Sequence, residues 1–157
     1  MDSFDVKILN IVQRDNRLPT EKIADEVGLS PSAVQRRLKR LREDGIIEAD
    51  VAIVSPEATG RKLTAIVGVI LDKERPLLQS LAEFKELMLS TPEVMQCYDV
   101  AGDDDFIVII TARDMQEYET FTRKLFVENP NVRRYKTSFV VSRIKSGTMI
   151  QLDQNSI

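Results

Sequence analysis

Hydrophobic side chains in the first fifty residues recur with the period of α-helices. The first apolar stripe shares one helical face, and its members are Val6, Ile8, Leu9, Ile11 and Val12. A second short helix is predicted for residues 20–26 and ends at Gly28, because glycine readily closes a helix. Ser30 and Pro31 suit the start of a third helix, which Gly45 closes. The pattern therefore predicts three helices, with a tight turn between the second and the third.

After the third helix the pattern changes to strands. Residues 46–54 are predicted to be β-like, and residues 55–60 have the composition of a hinge. Four strands and two helices then follow in the order βαββαβ, with strands at 64–71, 94–100, 106–111 and 132–145, one helix at 76–89 and another capped by Asp114. This order predicts a ferredoxin-like antiparallel sheet with two helices on one face. The chain is thus an α+β protein with a domain at 1–54, a linker at 55–63 and a second domain with a C-terminal tail at 64–157.

The predicted sheet carries apolar residues on both of its faces. Examples are Ile66, Ile107, Ile109 and Val141. Because the predicted helices cover only one face of the sheet, apolar residues on the other face would be exposed to solvent. We therefore expect two copies of the chain to form a homodimer through that face. Residues 146–157 show no clear period, and they are either an arm that contacts a partner or a disordered tail.

Composition narrows the classes of function. The chain is 43% apolar and 30% charged, with no apolar run long enough for a membrane span and no secretory signal at its start. We therefore expect a cytoplasmic protein. Histidine is absent and Cys97 is the single cysteine, which removes the usual catalytic base and a cysteine metal cluster. The sequence predicts no enzymatic activity, no metal and no cofactor.

The third helix concentrates positive charge, although the whole chain has a net charge of -3. Residues 30–42 contain five cations and no anion. A basic second helix after a short glycine-containing turn is the order of a DNA-binding helix-turn-helix; the alternative is a solvated basic face. Val34, Leu38 and Leu41 are predicted to face inward. The candidate contacts to double-stranded DNA are Ser30, Ser32, Ala33, Gln35, Arg36, Arg37, Lys39 and Arg40.

Motifs along the whole chain resemble one family. In the first domain they are Phe4-Asp5, Ile8-Leu9, Asp15-Asn16-Arg17, Ile23-Ala24, Val27-Gly28-Leu29-Ser30, Val34, Arg37, Leu41 and Gly45-Ile46-Ile47; in the second they are Glu93-Val94, Val100, Gly102-Asp103-Asp104-Asp105-Phe106 and Thr137. Their order and spacing are similar to those of the Lrp/AsnC, or feast/famine, transcriptional regulators. The resemblance implies a winged helix-turn-helix, a linking strand and an effector domain that forms dimers and larger assemblies such as tetramers or octamers. Pro19, Ala49-Asp50 and Phe106 depart from the family's pattern.

The resemblance also implies an amino-acid effector bound near the hairpin that carries the Gly-Asp motif. By motif position, the implied effector residues are Tyr98, Val100, Gly102, Asp103, Asp104, Asp105, Thr137 and Ser138. An amino acid needs an anionic acceptor for its ammonium group, which the hairpin acids can supply; read without the family, the same acids are typical of a solvated turn. A metal cage is disfavoured, because side chains of adjacent residues alternate in direction.

The resulting interpretation is a DNA-binding transcriptional regulator whose assembly or DNA affinity responds to a small amino acid. Two alternatives remain at this point. One is an amino-acid-sensing module that regulates a protein partner, and the other is a ferredoxin-like hydrolase.

Overall fold

The computed structural model describes residues 1–153. The chain forms two compact units: one consists of Met1–Ile53 with the described part of the tail from Lys145 onward, and the other is Val54–Ile144. In chain order the elements are α1 (Ser3–Val12), α2 (Thr20–Val27), α3 (Pro31–Glu43), β1 (Leu63–Leu71), α4 (Leu77–Leu89), β2 (Val94–Asp99), β3 (Phe106–Ala112), α5 (Met115–Thr122), a π-helix (Arg123–Val127) and β4 (Val132–Phe139). None of the helices in the described residues has the length and apolar character that a membrane span requires.

Helices α1, α2 and α3 of the first unit begin and end at residues suited to those positions. Asp2 caps α1 in a capping box with Asp5, which satisfies amides that the first helical turn leaves open. Gly28 ends α2 with a φ of 75°, a left-handed conformation that glycine adopts without strain. Ser30 then caps α3 through the amide of Ala33. The three predicted helices are confirmed, and their apolar faces form one core, consisting of Ile8, Ile11, Val12, Ile23, Ala24, Val27, Val34 and Leu38.

The predicted β-like segment at 46–54 is wrong for the single chain, because it contains no strand. A strand needs a neighbour to pair with its backbone, and the other regular elements described in this unit are helices. The side chains of Val51, Ile53 and Val54 are exposed. An ion pair between Arg42 and Asp50 ties the segment to the end of α3.

The second unit is the expected ferredoxin-like domain. Its four strands are ordered β2-β3-β1-β4, and all neighbouring pairs are antiparallel. Alternate residues of β1 and β3 point to one face of this sheet, where α4, α5 and the π-helix cover them. The core on this face consists of Ala65, Val67, Val69, Leu71, Phe84, Met88, Phe106, Val108, Ile110, Ala112, Tyr118, Leu125 and Phe126.

The opposite face of the sheet, which we call the open face, carries Ile66, Ile107 and Ile109. The strand register places all three on this face, and Ile66 is 40% exposed. The prediction of apolar residues on both faces is therefore confirmed for the isoleucines. It is wrong for Val141, because β4 ends at Phe139 and not near residue 145. Beyond Phe139 the Val140 amide still donates to the Thr64 carbonyl, but the chain bends at Val141 and leaves the sheet.

The described part of the tail has no regular secondary structure. It belongs to the first unit, where backbone groups of Ile150 and Leu152 hydrogen-bond side chains of α1. The final part of the predicted arm, residues 154–157, lies outside the described residues.

Candidate DNA-binding helix and effector hairpin

The third helix, α3, has a buried side and an exposed side, as its periodicity predicts. Val34, Leu38 and Leu41 are buried. Ser32, Gln35, Arg36, Lys39 and Arg40 are exposed on the other side, and Arg37 and Ala33 lie at its flank with intermediate exposure. The sequence therefore places a basic and polar surface on the outside of α3.

Two of the α3 arginines are held by carboxylates at the start of α1. Arg37 Nη1 lies 2.7 Å from Asp5 Oδ1 and 2.8 Å from Asp2 Oδ2. Arg40 Nη2 lies 2.6 Å from Asp5 Oδ2. The Asp5 side chain is only 1% exposed and that of Arg37 is 20% exposed. A buried carboxylate needs such partners, so these arginines fix α3 against α1, and their charges are balanced within the protein.

The same contacts shift two pKa values. The backbone amide of Asp5 and then the Arg37 guanidinium hold the pKa of Asp2 below its ordinary value. The hydrogen bonds that Arg37 donates to Asp5 and Asp2 raise the pKa of Arg37 further above its ordinary value. Both shifts favour the charged forms, and so the ion pairs persist at neutral pH.

The other polar groups of α3 are differently engaged. Ser30 Oγ already accepts from the Ala33 amide and lies 3.2 Å from Ser32 Oγ. Lys39 makes an i,i+4 contact of 3.6 Å with Glu43, and its side chain is 75% exposed, so the pair is weak. Arg36 is exposed and makes no ion pair with any residue in the described part of the chain. Arg36 is therefore the guanidinium on this helix with its donors available to a ligand.

Asp105, in the hairpin between β2 and β3, hydrogen-bonds the backbone of β1. The Asp105 amide donates to the Val69 carbonyl, and Asp105 Oδ2 accepts from the Leu71 amide at 2.8 Å. The Asp105 carbonyl also accepts from the Val100 amide. Asp105 and Val100 therefore shape the hairpin, while Gly102 and Asp103 are exposed at its tip.

Asp104 lies across the open face above Gly68. A Cβ atom added to Gly68 would be 2.3 Å from Asp104 Oδ2, so only glycine leaves room for the carboxylate in this position. Gly68 was not among the predicted site residues. Its signal was a lone glycine inside an apolar strand, which often marks a close approach by another group.

The strand register divides the predicted effector residues between the two faces. Tyr98 pairs with Ile107 and Ser138 pairs with Ile66, which places both on the open face. Thr137 pairs with the buried Val67, and its hydroxyl hydrogen-bonds the Tyr118 hydroxyl of α5. The structure thus groups Tyr98, Ser138 and Asp104 on the open face and places Thr137 on the other.

One further residue belongs to the open-face group. Lys136 pairs with Gly68 across β1 and β4, and Gly68 pairs in turn with Ile107. A row across the sheet therefore runs from the Tyr98 phenol to the Lys136 ammonium, with the Asp104 carboxylate above its middle. Lys136 was not among the predicted site residues, because only the strand register shows that it shares this row.

Two sequence families match the two parts of the chain. Residues 1–48 match the winged helix-turn-helix DNA-binding family, and residues 64–150 match the Lrp/AsnC ligand binding domain. The second match alone covers more than half of the chain.

Individual proteins are similar to the chain over nearly its whole length. The uncharacterized HTH-type transcriptional regulator y4tD of Sinorhizobium fredii is 52% identical over 153 residues, which are 98% of this chain and 89% of the relative. An uncharacterized HTH-type transcriptional regulator of Haemophilus influenzae is 36% identical over 97% of this chain and 89% of its own.

A solved structure is similar as well. The complex of a Neisseria meningitidis transcriptional regulator with L-Met has a TM-score of 0.89 and 30% identity, with 96% of each chain covered. The fold, the two matched domains and these relatives agree with the motifs read from the sequence: the chain belongs to the Lrp/AsnC family of transcriptional regulators, with an N-terminal winged helix-turn-helix and a C-terminal ligand-binding domain.

Proposed function

We propose that this chain is a cytoplasmic, homo-oligomeric regulator that binds specific double-stranded DNA through α3 and changes its DNA affinity or assembly when an amino acid binds. The observation that carries the proposal is the outer surface of α3, where Arg36 has no acidic partner among the described residues. A helix entering the major groove needs cations for phosphates and forked or amide donors for base edges.

The residues of α3 then have three different tasks. Gln35 and Arg36 read base edges, while Lys39 and the groups at the start of the helix, Ser30, Ser32 and Ala33, face the phosphates. Arg37 and Arg40 hold the helix in place through Asp2 and Asp5. Charge supports this division, because a guanidinium bonded to a buried carboxylate has less attraction left for a phosphate.

The Arg36→Ala variant tests this assignment. We expect a loss of about 1–3 kcal/mol in binding to the operator, roughly fivefold to 150-fold in affinity, because a bidentate arginine contact is lost. The measurement is a gel-shift titration at fixed salt with DNA from the protein's own promoter. Lys124→Ala provides the control, since Lys124 is exposed in the second unit. Equal affinities of Arg36→Ala and the native protein would remove α3 from the interface.

We place the effector on the open face, beside Asp104. An amino acid carries an ammonium and a carboxylate, and this row offers the Asp104 carboxylate for the first and the Lys136 ammonium for the second. The structurally similar Neisseria meningitidis regulator was solved with L-Met, which supports a small amino acid as the ligand class. Tyr98 and Ser138 supply hydroxyl groups at the ends of the site.

A second copy of the chain closes this site in our proposal. Apolar residues on the open face remain wet in the single chain, and Tyr98 is 50% exposed. Pairing of two such faces removes them from water and forms the desolvated cleft that a small ligand needs. Dimers built in this way can assemble further into tetramers or octamers, as the resemblance to the family implies.

A further inference from the structure

The described part of the tail is held against α1 by two side-chain amides. Gln13 Nε2 donates to the Ile150 carbonyl at 3.0 Å, and Gln13 Oε1 accepts from the Ile150 amide at 2.8 Å. Asn10 repeats the arrangement with Leu152, donating to its carbonyl at 2.8 Å and accepting from its amide at 3.4 Å. Each side chain satisfies both backbone groups of one tail residue, as a neighbouring strand would do.

The spacing of the two amides matches an extended peptide. Asn10 lies on α1, and Gln13 caps the end of α1 with helical backbone angles, so their side chains lie on one face about 5–6 Å from each other. Ile150 and Leu152 are two residues apart, which spans roughly 6–7 Å in extended backbone. The two side-chain amides therefore bind alternate residues of an extended tail segment that runs antiparallel to α1. Because the contacts are to backbone groups, they do not depend on the side chains of the tail.

We propose that Asn10 and Gln13 form a peptide clamp, and that its occupant is the tail segment Ile150–Leu152 of the same chain. The tail is seated on the clamp in the structure, and the chain reaches it directly from the second unit. The chain leaves the first unit after Ile53 and returns to it at Lys145. With the clamp occupied, two segments of chain join the first unit to the second: the linker and the tail. If the tail were free, only the linker would join them.

Amide hydrogen exchange on the full-length protein tests whether the clamp is occupied. We expect the amides of Ile150 and Leu152 to exchange roughly fivefold to tenfold more slowly than that of Gln151, whose backbone is not hydrogen-bonded to the clamp. In the double variant Asn10→Ala with Gln13→Ala, exchange at 150 and 152 should rise to the rate at 151. The control Lys7→Ala, an exposed change on the same helix, should leave the alternation intact. Equal exchange at all three positions in the native protein would overturn the proposal.

Crosslinking tests the occupant. The exposed neighbours of the pair, Arg14 and Met149, are changed to cysteine in a chain whose Cys97 is changed to alanine, so that both clamp amides remain, and a short bismaleimide crosslinker is added. We expect a link within one chain, seen as a monomer of altered mobility on a denaturing gel. Covalent dimers in place of that product would overturn the assignment, because they would show the tail of a second copy on the clamp. Neither experiment involves DNA or an amino acid, so its outcome is independent of the proposed function.

Discussion

At the scale of single residues, the basic surface of α3 is divided by contacts that lie far away in the sequence. Arg37 and Arg40 were predicted from local charge to touch DNA, because no acid stands between residues 30 and 42. The acids that engage them are Asp2 and Asp5, more than thirty positions earlier. Counting charges along one helix cannot find a partner on another helix. In the folded unit the buried Asp5 carboxylate lies against both Arg37 and Arg40.

Asp2 offers a direct test of this network through pH. Its pKa is lowered in the folded protein by the Asp5 amide and Arg37, so its stabilising contribution is present above the unfolded pKa of about 4 and is lost as the pH falls through the folded value. We expect Asp2→Asn, which keeps a capping oxygen, to be less stable than the native protein at pH 7 by roughly 0.2–1 kcal/mol, since the pair is exposed.

The measurement is the melting temperature of both proteins between pH 7 and pH 2.5. The gap between them should close as the pH drops below about 4. A gap that stays constant over this range would show that the Asp2 charge does not contribute to stability.

At the scale of elements, periodicity predicted the helices of the first unit and the βαββαβ order of the second. It failed where an element depends on a partner. Residues 46–54 have a strand-like composition but no strand beside them. Composition also placed the end of β4 too late, because the chain bends away from the sheet at Val141. Period two would also have separated Thr137 from Ser138, because adjacent strand residues face opposite sides. The Asp104–Gly68 contact required the sheet register and was beyond the sequence alone.

Asp104 of the hairpin between β2 and β3 is the proposed acceptor for the ammonium group of the effector. We expect Asp104→Asn to weaken binding of the responsive amino acid about tenfold or more, because the ion pair between the carboxylate and the ligand's ammonium group is replaced by a hydrogen bond to an uncharged acceptor. Asp103→Asn is the matched control: Asp103 is the exposed acid next to it on the same hairpin, and its change should leave affinity unaltered.

A thermal-shift screen of the twenty amino acids identifies the ligand, and calorimetry on both variants gives the affinities. Equal losses in the two variants would point to general negative charge on the hairpin, and an unaltered Asp104→Asn would remove this residue from the site.

At the scale of the whole molecule, the fold leaves one side of the sheet without covering helices, and we propose that a second copy covers it. The open face carries Ile66, Ile107 and Ile109 in a single patch, whereas the helix-covered face is fully packed. We expect Ile66→Asp to shift the protein toward monomers, because a charge would be buried without a partner in the dimer.

Light scattering after size exclusion measures this shift. Leu89→Asp is the control, since Leu89 is an exposed apolar residue on α4 and away from the open face. Retention of the native oligomer by Ile66→Asp would place the interface elsewhere.

The central claim is that the outer side of α3 meets the phosphates and base edges of DNA, with Arg36 in contact and Arg37 held inside the protein. The salt dependence of operator binding tests it most directly, because each lost phosphate contact reduces the slope of log K against log salt by about one. We predict a slope that is shallower by about one for Lys39→Ala, which removes a phosphate contact, and unchanged for Arg37→Ala, whose loss of affinity comes from a displaced helix. A native slope for Lys39→Ala with a reduced slope for Arg37→Ala would contradict the account.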